Sequence, residues 1–172
     1  MNRFILNVDP VQAAMQHNDK HVVKMILEEA QMLSTAHHVL NENLSEQMVS
    51  AIYRPTHKNH PCSIWIRKSR SNYEWGYRLY KSLCEEYTFR YGKIHKSWDL
   101  SPVLQNPPMA IPDIGLTDFP QAMPEYCKRD SAVDAYQVYY IMEKSDIAKW
   151  TKRDKPEWWD YQHSLMATLT EG

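Results

Sequence analysis

The stretch from His17 to Leu40, HNDKHVVKMILEEAQMLSTAHHVL, is the longest unbroken helical pattern in the chain, and the fold has to be built around it. Projected at about 100° per residue, Val22, Val23, Ile26, Leu27, Ala30, Leu33 and His37 fall on one arc, which predicts a core-facing stripe. The opposite arc carries His21, Lys24, Glu28, Gln31, Thr35 and His38. Asn18 or Asp19 offers an oxygen to the free N–H groups of the first turn, and Asn41 and Asn43 suit a left-handed turn that stops the helix.

That polar arc is a candidate site, because it sets an imidazole, an amine, a carboxylate and an amide along one side of a helix. His21, Lys24 and Glu28 are the candidate catalytic residues, and the flanking Met25 and Met32 suggest a covered groove. The plainer reading is that Lys24 and Glu28 form an ordinary i,i+4 pair on a solvated face.

The rest of the chain reads mainly as helix. RFILNV at the start is taken as extended, and Asp9-Pro10 opens a short helix through VQAAMQH. A helix over Leu44 to Tyr53, capped by Ser45, ends before Arg54-Pro55, since a residue preceding proline avoids helical backbone. Ser63 to Gly92 is helical with a break near Ser69–Asn72, where Ser71 or Asn72 caps the second piece and Gly92 closes it. Tyr73, Tyr77, Tyr80, Cys84, Tyr87 and Tyr91 share one stripe there, which is either core packing or a base-stacking surface. Six of the ten prolines lie between residues 98 and 127 among many apolar residues, so this segment is expected to be an ordered, mostly extended strap or lid. Ser131 opens a last helix expected to reach about residue 150, with Trp158, Trp159 and Tyr161 packing back before a frayed tail. The expected fold class is therefore all-α or nearly so: one helical domain over residues 1–172 around a central helix.

Several function classes are set aside. Four glycines are too few for a phosphate-cradling glycine loop, and Cys62, Cys84 and Cys127 show no C-x-x-C pair, which fits buried thiols better than disulfides or zinc. No apolar run reaches membrane-spanning length and no signal peptide is recognisable, so no membrane association and a cytoplasmic location are expected. No cofactor and no metal is called for. Oligomeric state is not encoded in any recognisable pattern.

Charge is distributed unevenly. Residues 47–98 hold ten Lys or Arg against three acids, a net +7 that leaves −8 for the remainder of a chain whose total is −1. A polyanion, DNA or a nucleotide, is the expected partner of that half. Within it the loop Thr56-His57-Lys58-Asn59-His60-Pro61 is rich in side-chain donors. Arg54, His57, Lys58, Asn59, His60, Arg67, Lys68 and Arg70 are the candidate nucleic-acid or phosphate contacts. His57 and His60 have metal-ligand spacing without a carboxylate nearby, so metal is not assigned.

K-N-H-P followed by a helix ending in R-Y-G, over roughly residues 1 to 96, is similar to patterns in the phage-type pyrimidine-dimer DNA glycosylase (endonuclease V-like) family. The resemblance implies a compact helical fold and excision of damaged pyrimidines by an amine that forms a Schiff base at C1′. Glu28 would match the family's carboxylate on an early helix, and Arg54, His57, Lys58, Asn59 and His60 its DNA-contacting loop. The family's amine is a terminus exposed by loss of the initiator Met, which needs a small second residue; here that residue is Asn2, so Met1 is expected to stay. The nucleophile is then the Met1 amine, or Lys24 if burial lowers its pKa, unless the chemistry is different. The function expected is a base-excising DNA glycosylase/lyase. The alternatives are a non-catalytic phage protein binding a nucleotide or host factor, and a nucleotide hydrolase or transferase using His21 and Glu28 as acid and base.

Overall fold

The computed structural model describes residues 1–41 and 43–171, and among them every regular element is helical. Asp9 accepts the N–H of Val11 and Pro10 takes the first position of α1 (Pro10–Gln16). Asn18 accepts the N–H of His21 at 2.9 Å and opens α2 (Asp19–Leu40), the central helix. Ser45 caps α3 (Glu46–Ala51), and His60 caps α4 (Pro61–Lys68) with Pro61 at its start. After a one-residue break at Ser69, α5 (Arg70–Tyr91) continues for 22 residues until Gly92, at φ 66°, turns it off in the left-handed region. Then come α6 (Ser101–Leu104), α7 (Ala132–Lys144), capped by Ser131, and α8 (Glu157–Thr170). α2 lies against α4 and α5, α1 lies on α5, and α8 lies on α7.

The core between them is completed by the N-terminal segment, which forms no regular element and threads through it with Phe4, Ile5 and Leu6 buried. Arg3 is also fully buried. Its guanidinium grips Glu29 of α2 through two bonds of 2.6 and 2.7 Å and lies over the rings of Trp65 and Trp75. Gly76 makes room for it: a Cβ there would come within 2.6 Å of Ile66 Cδ1 and 3.0 Å of Arg3 Nη2. On the far side Gln137 donates to the carbonyl of Leu6, and Phe4 lies among His21, Tyr136 and Tyr140.

The segment from 98 to 127 is an ordered strap, but it begins as helical turns over Lys96–Leu100 and Ser101–Leu104 before it becomes extended. The tyrosines of α5 hold it. Tyr73 donates to the carbonyl of Leu104 at 2.7 Å, Tyr80 to that of Ser97 at 2.6 Å, and Tyr77 meets Ser101 Oγ, so these hydroxyls serve packing. Further on, Arg70 N–H donates to Pro112, Ser69 Oγ to Gly115, and Asn72 bonds Thr117 in both directions. Asn72 thus ties the strap down and does not cap α5, because Ser69 already stands at the cap position.

Three other expectations change. Asn41 ends α2 in extended backbone, with its N–H bonded to the carbonyl of His37. α7 stops at Lys144 in a 3-10 turn, Ser145–Ile147, well short of residue 150. The chain's end is helical to Thr170; Trp159 and the half-buried Trp158 pack inward, whereas Tyr161 is exposed.

Candidate active site

The buried stripe of α2 is rotated from the one hydropathy predicts. Val23 and Leu27 are each 39% exposed, while His21, Glu28 and Thr35 of the expected polar arc are buried. Each of those polar residues is covered by a distant segment. Thr35 Oγ1 donates to the carbonyl of Thr56 and accepts that residue's N–H at 3.1 Å, and His38 bonds the carbonyl of Tyr53. The loop that carries the basic residues therefore lies along the polar arc of α2, while Met25 and Met32 are buried in the core.

Glu28 is covered by the start of the chain. The Met1 amine stands 3.5 Å from Glu28 Oε1. The Met1 side chain is only 1% exposed, yet the residue as a whole is half-buried, so its remaining accessible surface belongs to the main chain that bears the amine. The side chain packs against the core and leaves the main chain as the accessible part of the residue. Glu28 Oε2 is buried without a hydrogen-bond partner. One oxygen of this carboxylate meets the amine while the other is free to receive a proton or to face a developing cation.

Lys24 takes no part in this pairing. It is exposed, one turn away from Glu28, and no ion pair between them is formed. The burial that would turn Lys24 into a nucleophile is absent. His21 is withdrawn in a different direction: its ring stacks on Phe4 with centroids 4.3 Å apart, and Nδ1 is 2.6 Å from the Tyr140 hydroxyl. Burial, then the charges of His17, Lys144 and Lys24, push its pKa down to about 3, so it is a neutral core residue. Seven residues of helix, roughly 10 Å of rise, separate it from Glu28.

Of the proposed contacts, Arg54, His57, Lys58, Asn59 and Lys68 are exposed, and His60, Arg67 and Arg70 are half-buried. His57 sits at φ 45° with Nδ1 2.8 Å from Thr56 Oγ1, a strained turn that holds the loop's tip. Arg67 folds back on Ser63, bonding its carbonyl at 3.2 Å and its hydroxyl at 3.3 Å. Acids from outside residues 47–98 join this face: pinning Pro112 to Arg70 and Thr117 to Asn72 brings exposed Asp113 and Asp118 alongside the end of α4. Arg54 and Lys58, on the loop, are the cations nearest in sequence to His60.

His60 belongs to both groups of residues. Its Nδ1 accepts the N–H of Cys62 at 3.1 Å, and Cys62 Sγ lies 3.9 Å from Asn2 Oδ1, so the first turn of α4 abuts the residue next to Met1. Burial, then the Met1 ammonium, His57 and Arg3, hold the His60 imidazole below the usual histidine range. Asn2 in turn donates to the carbonyl of Ala122, which ties the strap to the same corner.

Sequence reasoning supplied Glu28 and the loop; the buried Arg3–Glu29 pair beneath them was missed, though an arginine among apolar residues near the terminus was a visible signal. Cys62, Cys84 and Cys127 are buried free thiols, and burial pushes the Cys62 thiol up to about 11. No group of three or more metal-ligating side chains occurs among the described residues, and none of their helices is long and apolar enough to cross a membrane. A cavity of about 780 Å³ lies between the far end of α2 and the strap, lined by His37, Leu40, Met48 and Val103, away from Glu28. No family model, curated protein or solved structure matches the chain, so what this corner can do is read from its own geometry.

Proposed function

We propose that the chain is a DNA base-excising glycosylase/lyase whose nucleophile is the Met1 amine and whose carboxylate is Glu28. The observation that carries this is the α-amine of a half-buried Met1 standing 3.5 Å from a buried carboxylate that keeps one oxygen unpartnered. An α-amine suits the task because α-amines as a class are less basic than lysine amines.

In excision the neutral amine attacks C1′ with its lone pair, and the C1′–N bond to the base breaks with its electrons passing to the base. Glu28 offsets the positive charge that grows at C1′ and takes the proton released by the new C1′–N bond; that proton then passes to the departed base. Opening of the sugar ring gives the Schiff base. Removal of a C2′ proton then breaks the C3′–O bond and releases the phosphate end, and water frees the amine. Arg54 and Lys58, on the loop over α2, supply the charge that holds the backbone. The hydrolase or transferase reading needs His21 as partner to Glu28, and the Phe4–Tyr140 setting of His21 does not favour it.

The test is borohydride trapping on a duplex with one abasic site. A covalent adduct that peptide mapping places on Met1, and that survives Lys24→Met, is the expected result. No adduct, with DNA still bound, would leave a non-catalytic nucleic-acid-binding protein. An adduct on Lys24 would keep the chemistry and overturn the assignment of Met1.

A further inference from the structure

We infer that His60 is a further catalytic group of this site, donating a hydrogen bond from Nε2–H to the departing base as its bond to C1′ breaks. The inference rests on the glycosylase reading and adds a group that acts in excision and not in strand cleavage.

Its first support is the tautomer. Because Nδ1 accepts the N–H of Cys62, the neutral ring must carry its hydrogen on Nε2, at the opposite edge of the imidazole. A histidine free to rotate would offer either nitrogen. This one is fixed as the cap of α4, with Pro61 locking the backbone on its C-terminal side.

Position is the second support. The first turn of α4 touches Asn2 through Cys62, and the loop leading into His60 is held on the same side of α2 through Thr56 and Thr35, two turns along from Glu28. His60 is thereby half-buried between the amine and the basic loop, where a nucleotide attacked by Met1 would place its base or its phosphate. The charged groups that act on it are the Met1 ammonium, His57 and Arg3, all of them cationic or neutral. Such surroundings keep the ring neutral, and a neutral donor stabilises charge gathering on a leaving base without giving up its proton. His60 therefore gives a hydrogen bond only, and the proton count of the reaction is unchanged.

Two substitutions separate the ring's two edges. His60→Asn keeps an acceptor for the α4 cap and removes the Nε2–H donor; His60→Gln places an amide N–H near the position of Nε2 and weakens the cap. Wild-type protein is first trapped on abasic DNA; absence of an adduct at this stage overturns the glycosylase reading, and the role of His60 with it. Given an adduct, excision of a damaged base and cleavage of a preformed abasic site are timed in single turnover, alongside DNA affinity. The expected result for His60→Asn is excision slowed about 10²-fold, as for loss of one charge-stabilising donor, with cleavage slowed less than about threefold and affinity held. His60→Gln should recover part of the excision rate. Parallel losses in both steps with weaker, less salt-dependent binding would make His60 a phosphate contact. Unchanged excision would make it a helix cap alone; either result overturns the inference.

Discussion

Arg3 and Glu29 meet through two parallel bonds, from Nε at 2.6 Å and from Nη2 at 2.7 Å, with both side chains out of reach of water. Burial pushes the Glu29 carboxyl up while Arg3 pulls it down; for Arg3, burial lowers the guanidinium but Glu29 holds it above its usual value. Glu29 neighbours Glu28 on α2, and Arg3 lies two residues from Met1. The clamp therefore sets where the amine comes to rest. Glu29→Gln should cost about 3–5 kcal/mol by stranding a buried guanidinium, measured by urea unfolding. A variant as stable as the wild type would show that the pair sets no register.

Glu28→Gln should act in the opposite way. The carboxylate is buried with one oxygen unpartnered and the other 3.5 Å from the amine, so a neutral amide removes a poorly compensated charge and stability should change by less than about 1 kcal/mol. Trapping on abasic DNA should slow by about 10²-fold or more. Full activity in this variant would end the catalytic reading of α2.

Gly76→Ala probes the same corner from below. The added methyl would meet Ile66 at 2.6 Å and Arg3 at 3.0 Å, so overpacking should cost about 1–3 kcal/mol despite alanine's better helix propensity. Differential scanning calorimetry of the variant should show a lower Tm; an increase would mean that Arg3 moves aside freely.

Acid should weaken the fold well before the carboxylates titrate. Burial, aided by Arg90, pushes His17 down to about 4; burial with its neighbouring cations pushes His21 to about 3; burial with His38 pushes His37 to about 4. The unfolded chain binds a proton at each histidine near pH 6.5 while the folded chain does not, so stability is lost as pH falls from about 6.5 toward about 4. Each histidine contributes up to about 1.4 kcal/mol per pH unit in that window. Asp19 acts lower down: burial raises its carboxyl, but bonds from Thr151 and Arg90 outweigh this and hold it below the usual range, so its contribution disappears only at more acidic pH. Urea midpoints at pH 7, 6 and 5 should fall steadily, and replacing His37 with Gln should flatten the trend.

Lys58→Glu with Lys68→Glu should weaken DNA binding and reduce the slope of log affinity against log salt by about 1 for each phosphate that is no longer neutralised. Both side chains are exposed and neither forms an ion pair with a described acid, so folding should be unaffected. An unchanged salt slope would make the loop a solvated surface.

The helix ends were legible because caps are local chemistry: Asp9-Pro10, Asn18, Ser45, Ser131 and Gly92 each act where their residue type predicts. The rotation of α2 was not legible. Hydropathy places Val23 and Leu27 inside and His21, Glu28 and Thr35 outside, but Tyr140, the Met1 amine and Thr56 each cover one of those polar groups from a distant part of the chain. A terminal amine has no letter of its own, so the partner of Glu28 appeared in the sequence only as one option beside Lys24. The length of α7 was overestimated because Ile147 and Trp150 continue an apolar rhythm after the backbone has left the helix.

The buried N-terminal segment also has a consequence in time. Phe4 and Leu6 are covered by Tyr136, Gln137 and Tyr140, and Asn2 is held by Ala122, so the first residues made are enclosed by some of the last. At about 5–20 residues per second, they leave the ribosome on the order of ten seconds before their covering does. Nascent chains that stall before α7 would hold Glu28 on a formed helix with no amine seated beside it, so assembly of the site reports that synthesis has entered the final third of these 172 residues.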